Sequence, residues 1–232
     1  MKLRSHKHAI LLAAMVVVVI VESFNHRLVL GPVASDLAIS GTQLLAFLTI
    51  FDEKINRRVA LVALSVAFVS AWAHYVMPEN SPQDGIRLAN HSALLLLFGF
   101  ATIVMLRHIF EQRVVRIDDV IGAVCGYILA GAAWAHLFMV IEIFVPGCFS
   151  VGQGFGIGLD TWHGRLAVLN YVSLGSLTGV GSGQVVAVRP PATVLTALEA
   201  VFGQFYIAVV VAQLVGARLS QGLKQTAPPT SE

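Results

Sequence analysis

Five residues, Gly179-Val180-Gly181-Ser182-Gly183, place a glycine at every second position. That pattern suits cation coordination by the backbone. Carbonyl oxygens replace an ion's hydration shell only if successive residues turn their C=O groups toward one axis. Such a backbone is strained for ordinary residues and open to glycine. One chain supplies a quarter of a ring of this kind, so the chemistry calls for four copies. His74, His91 and His136 form a second group, set in Ala71-Trp72-Ala73-His74, Asn90-His91 and Ala133-Trp134-Ala135-His136. Facing histidines can ligate haem, and a cluster can bind zinc or take up protons. Histidine and tryptophan at helix ends also fit a membrane interface, which is the expectation here. Glu199 is a third candidate, because an ionised carboxylate inside an apolar helix is costly. Its expected role is to support the glycine loop from behind. Gln153-Gly154-Phe155-Gly156-Ile157-Gly158 neither follows a strand nor opens a nucleotide-binding unit, and reads as a flexible outer loop. No nucleophile elbow, phosphate loop or metalloprotease motif is present, so no enzyme, cofactor or metal site is expected.

These residues need a scaffold, and composition indicates which. The chain is 56% hydrophobic and 12% charged over 232 residues, with a mean hydropathy of +0.78. Soluble domains carry about 25% charged residues, so most of this surface faces something other than water. Six stretches approach the ~20 apolar residues a bilayer crossing needs: 9–24, 28–51, 59–77, 88–107, 117–145 and 192–217. The second is weakened by Gly31-Pro32 and Asp36 and is expected to start after them. Glu22-Ser23-Phe24-Asn25-His26 is a poor cleavage site, so the first stretch is read as a retained helix. Two cysteines, Cys125 within a helix and Cys148 outside one, make no disulfide framework. A basic face for nucleic acid is lacking.

Orientation follows from lysine and arginine in the loops. With the amino terminus in the cytoplasm, the inner segments hold Lys2, Arg4, Lys7, Lys54, Arg57, Arg58, Arg107, Arg113, Arg116, Arg218 and Lys224. The outer segments hold only Arg27, Arg87, Arg165 and Arg189. Eleven against four places both termini inside, which an even number of crossings requires. Between 88 and 107 no arginine repeats at every third residue, so voltage sensing by an arginine-rich helix is not expected. The tail from Ser220, with Pro228-Pro229, is expected to be disordered.

The interval 146–191 is no ordinary loop. Residues 163–177 are moderately apolar, but fifteen residues at ~1.5 Å each span only ~23 Å. That length suits a re-entrant half-helix. The glycine alternation follows it directly, and bare carbonyls at membrane depth are tolerated only against protein or a water-filled path. The half-helix would aim the negative end of its dipole at the same axis.

Residues 117–216 resemble the bacterial ion-channel branch of the potassium-channel pore-domain superfamily. Tyr171-Val172-Ser173-Leu174-Gly175-Ser176-Leu177-Thr178-Gly179-Val180-Gly181-Ser182-Gly183-Gln184 is similar to that family's pore helix and filter. Leu198-Glu199-Ala200, Gly203-Gln204, Tyr206 and Gln213-Leu214-Val215-Gly216 match its inner helix. The resemblance implies a homotetrameric cation channel with Thr178, Gly179, Val180, Gly181, Ser182, Gly183 and Gln184 as the ion filter. Glu199 and Tyr171 would support it, Gly203 would be the gating hinge, and a monovalent cation such as potassium would permeate. Three departures fall where selectivity is made. Gly179 replaces the family's threonine hydroxyls, Ser182 its bracing tyrosine and Gln184 its aspartate, so weakened ion discrimination is implied.

The expected fold is therefore an all-α integral membrane protein of six transmembrane helices, with a re-entrant pore helix and filter loop between the fifth and sixth. Its parts are a four-helix region 1–116, a pore module 117–218 and a cytoplasmic tail 219–232, in the plasma (inner) membrane and surrounded by lipid. Two alternatives remain open: a non-conducting scaffold or sensor that keeps the channel fold, and a secondary carrier with a broken helix.

Overall fold

The structure, a computed structural model, describes residues 7–25, 31–50, 54–73, 83–111, 116–153, 156, 159 and 161–226. Among the described residues the fold is helical, at 86% helix, apart from one short ribbon of two strands. In order, the elements are α1 (Lys7–Asn25), α2 (Gly31–Ile50), α3 (Lys54–Ala73), α4 (Gln83–Glu111), α5 (Ile117–Phe144), β1 (Phe149–Val151), α6 (Trp162–Thr178), β2 (Val185–Ala187) and α7 (Pro190–Thr226).

Local chemistry sets several of these boundaries. Asp118 and Asp119 open α5, where acidic groups favour the positive end of the helix dipole. The Asp119 carboxylate accepts the Arg116 N–H at 2.8 Å. Thr161 caps α6, its hydroxyl oxygen accepting the Gly164 N–H at 3.1 Å. Gly179 ends α6 in the left-handed region at φ 76°. Pro190 and Pro191 lie in the first turn of α7, where the missing N–H has no helical partner to lose. The same reason lets α2 begin at Gly31-Pro32, earlier than the apolar pattern predicts. At the other end of the chain α7 stays helical through Thr226, so the boundary expected at Arg218 falls inside it. Residues 227–232 lie outside the described residues.

Among the described residues, three helices are long and apolar enough to cross a membrane: Asp84–Glu111, Ile117–Phe144 and Pro190–Leu219. Shorter apolar stretches occupy His8–Val17 and Ile39–Ile50. This is membrane-protein architecture in its coarse form. The largest buried cluster joins the front helices to α5, with Leu11 and Met15 of α1, Phe47 of α2, Leu64 of α3 and Leu97 of α4 around Leu129. A second cluster packs Phe138 and Met139 of α5 against Phe149, Val168, Val172 and Val185. The third joins Ile109 and Ala123 to Tyr206 and Val210 of α7.

Two features frame the segment between α5 and α7. First, β1 and β2 pair antiparallel, Phe149 opposite Ala187 and Val151 opposite Val185, where the sequence reads only as an irregular loop. Second, 56% of the apolar window of α5 is buried within the chain but only 22% of that of α7. Most of α7 is thus exposed on the single chain.

Candidate functional site

The site is built where α6 ends against α5 and α7. Trp162, at the start of α6, meets His91 of α4, and His91 meets His136 of α5. Farther along, the Ser173 hydroxyl donates to the Gly131 carbonyl at 2.7 Å. At the far end the Tyr127 hydroxyl donates to the Leu177 carbonyl at 2.7 Å. So α6 runs antiparallel to α5 and stops at Tyr127, roughly 25 Å from the Phe144 end at 1.5 Å per residue. The chain then comes back: β2 pairs with β1, and the Val188 N–H donates to the Cys148 carbonyl at 2.8 Å.

The last turn of a helix leaves four carbonyls without intrahelical donors. Here each has been given one. The Gly175 carbonyl accepts the Gly181 N–H at 2.9 Å and the Ser176 carbonyl accepts the Gly179 N–H at 3.0 Å. Leu177 is served by Tyr127, and the Thr178 carbonyl accepts the Gln204 side-chain amide of α7 at 3.5 Å. The loop folds so tightly over α6 that a Cβ on Gly175 would lie 2.6 Å from the Gly181 carbonyl oxygen. A Cβ on Gly203 would collide with the Leu177 carbonyl.

Residues 179–183 alternate in handedness. Gly179, Gly181 and Gly183 have φ of 76°, 86° and 54°, while among the described residues no non-glycine residue has positive φ. L-residues at those three positions would be strained. Val180 between them is 86% exposed. The Thr178 hydroxyl instead folds back onto the Leu174 carbonyl at 2.8 Å. The Ser182 hydroxyl donates to the Val185 carbonyl at 2.6 Å, and the Gln184 carbonyl accepts the Gly152 N–H at 2.7 Å. Tyr171 is half-exposed, its hydroxyl oxygen 3.4 Å from where a Cβ on Gly183 would stand.

Glu199 sits behind this end of α6, fully buried. Its Oε1 is hydrogen-bonded to the Ser173 hydroxyl, also fully buried. A serine hydroxyl holds one proton, and here it has two acceptors, Gly131 O and Glu199 Oε1. Satisfying both bonds requires a second proton, that of the Glu199 carboxyl itself. Ser173 then donates to Gly131 and Glu199 donates to Ser173. The other oxygen, Oε2, is buried with no hydrogen-bond partner among the described residues.

The sequence-predicted residues thus come together in one place, with Gly203 and Glu199 against α6 and the glycines beyond its end. Partners that the sequence reading does not single out are Tyr127, Gly131, Ser173 as a proton carrier, and Gln204 as a cap. Glu142, near the end of α5, has a built role. Its two oxygens accept the N–H groups of Gly147 at 2.8 Å and Cys148 at 2.9 Å, which fixes the chain as it leaves α5. Burial, reinforced by the Glu142 charge, pushes the Cys148 thiol up and keeps it un-ionised. Both cysteines are free. The histidine expectation divides: His91 and His136 are buried together rather than spread at an interface, and His74 lies outside the described residues. Among the described residues no group of three or more His, Cys, Asp or Glu is placed to hold a metal ion.

Comparison with known protein families, curated proteins and solved structures gave no match.

Proposed function

We propose that four copies of this chain form a cation-conducting pore, with the 179–184 loops at the axis and the fold of a potassium-channel-like pore module. The observation that carries this reading is the α6–loop geometry. A short helix runs part of the way along α5, every carbonyl at its end is satisfied, and the chain returns through a loop whose three glycines alternate in handedness with their neighbours. At 17 residues, or ~25 Å, α6 is shorter than the ~30 Å hydrocarbon layer. It is read as re-entrant, with α1 to α5 and α7 as six crossings and both termini in the cytoplasm. The plasma (inner) membrane is the location that fits this reading. The largely unburied α7 supplies the surface for packing against neighbouring copies and lipid.

Ion preference is expected to be weak among monovalent cations. Gly179 brings no hydroxyl to the innermost position, and Ser182 is bonded to its own loop and cannot brace it as a tyrosine would. Gln184 carries no charge at the outer mouth. α4 lacks the arginine ladder of a voltage sensor. A non-conducting scaffold is the second reading, favoured by the Thr178 hydroxyl, which points back to its own helix. The carrier reading has less to stand on, because α2 runs unbroken through Ser40-Gly41.

Restoring the family's filter chemistry tests the proposal. Ser182→Tyr with Gln184→Asp is expected to raise potassium over sodium flux in liposomes about tenfold, a difference of about 1.4 kcal/mol. Adding Gly179→Thr alone should undo the gain. A Cβ at 179 lies 3.0 Å from the Gln204 amide nitrogen, and φ 76° strains any L-residue there whatever the space. An unchanged ratio in the double variant, with flux intact, would count against the loop as filter.

A further inference from the structure

His91 and His136 are 3% and 6% exposed, and they face each other through Nδ1 and Nδ1 at 2.9 Å. Their rings stack at 5.1 Å between centroids, 30° apart. The indole of Trp162 donates its N–H to His91 Nε2 at 3.1 Å. Indole nitrogen is a donor only, so it fixes every proton in the chain. His91 Nε2 must be bare, its proton lies on Nδ1, and His91 donates to a bare Nδ1 of His136. With both rings neutral, the Trp162–His91 and His91–His136 bonds are made together. Three elements are joined in this way: α4 through His91, α5 through His136, and the amino end of α6 through Trp162.

One added proton cannot be accommodated without breaking a link. If His91 takes it, Nε2 becomes N–H and opposes the indole N–H, donor against donor. If His136 takes it and donates from Nδ1, the proton of His91 must move to Nε2, and the same opposition results. The arrangement that retains a charge-assisted bond between the rings is the one that loses Trp162. The added charge also falls one turn from Arg87, on the same helix face, where like charges repel. Arg87 stands with Cζ 4.6 Å from the Trp162 ring centroid, and Arg165 of α6 at 5.5 Å.

The charged groups on the surrounding elements are accounted for. Asp84 of α4 pairs with Arg87 at 3.6 Å, and Arg165 donates to the Leu159 carbonyl at 3.0 Å. Glu142 of α5 is held by the Gly147 and Cys148 amides, and Glu199 of α7 by Ser173. Neighbouring α3 offers Ser70 and the Ala67 carbonyl, both bound by Asn90. Phe98 closes over His136 at 5.6 Å. None of these contacts gives the pair an acceptor for a new proton. The side chains of His74 and His163 lie outside the described residues.

We propose that His91 and His136 form a proton-binding site that fastens the amino end of α6 to α4 and α5 while neutral and releases Trp162 on taking up one proton. The lysine and arginine asymmetry assigns this end of the bundle to the outside, so the proton would come from the external solution. The site itself does not depend on ion conduction. Its consequence does: with α6 as the pore helix, release of Trp162 would change flux.

Tryptophan indole nitrogens labelled with 15N in the full-length protein in micelles read the site directly. Three indole signals are expected from the three tryptophans, and Trp162→Phe identifies the relevant one. Between about pH 8 and about pH 4, a window that brackets ordinary histidine, the Trp162 signal should move as a one-proton titration spread over about two pH units. His91→Gln and His136→Gln should each flatten it. A Trp162 signal that stays fixed over the range overturns the proposal, as does an equal movement in the His91→Gln protein. Should either variant fail to fold, the wild-type histidine ring nitrogens decide: a midpoint shared with Trp162 supports the site, and separate midpoints overturn it. Flux into liposomes at the same external pH values separates the two readings. Absent flux at every pH with a moving Trp162 signal overturns the channel and upholds the site. Flux that ignores pH while Trp162 moves overturns the coupling.

Discussion

A single methyl group at Gly203 is expected to undo the junction of α6 and α7. A Cβ built there falls onto the carbonyl of Leu177, which is backbone, and that carbonyl is held by the Tyr127 hydroxyl at 2.7 Å. Nothing flexible can give way. Either α7 retreats, taking Gln204 from Thr178 and Glu199 from Ser173, or the end of α6 is displaced from α5. Overpacking of ordinary cores costs about 1–3 kcal/mol, and Gly203→Ala should fall at or above the top of that range. Thermal unfolding in detergent reads it, and a variant with the wild-type midpoint would contradict the packing described. In the proposed pore Gly203 would be a gating hinge, whereas the contact gives it a prior reason to be glycine: close approach of two backbones. The two roles separate at Gly203→Ser, which a pure hinge tolerates better than a close contact does.

Glu199 should divide sharply between two substitutions. Glu199→Gln supplies an amide N–H where the proton count requires a donor to Ser173, so it should be nearly neutral in stability. Glu199→Ala removes that donor and leaves a void between fully buried neighbours, at a cost of about 1–3 kcal/mol for the hydrogen bond alone, with a cavity cost in addition. Unfolding midpoints of the two variants measured side by side decide the matter. If Gln proves as damaging as Ala, the carboxyl is ionised and the proton order Glu199 to Ser173 to Gly131 is wrong. Flux adds a second readout, since loss of support behind α6 should lower it in the alanine variant and leave it in the glutamine one.

What the sequence could and could not disclose follows from the range of each interaction. The short apolar stretch 163–177 anticipates α6 because length limits what a helix can span and Gly179 marks its end. The alternation of glycines anticipates the alternation of φ for the same local reason. Glu199 stands out because a carboxyl in an apolar run demands a partner, but nothing nearby names that partner. Ser173 and Gly131 are 42 residues apart, and Tyr127 and Leu177 are 50 apart; no spacing rule connects them. Gln204 was visible as a matching letter only, because its task is to cap a helix 26 residues away. The β1–β2 ribbon escaped for another reason: three-residue strands give too short an alternation to register against the glycines around them. His91 and His136 were visible as helix-end histidines, and tertiary packing alone brings their rings together.

Conduction by this chain is the central claim to be measured. Purified protein, confirmed as a tetramer by mass, is reconstituted into liposomes, and potassium and sodium influx are measured side by side. The prediction is protein-dependent influx of both ions, with little preference between them, lost in Gly203→Ala. Influx of neither ion from a confirmed tetramer would contradict it and leave a scaffold that keeps the shape of a pore without its traffic.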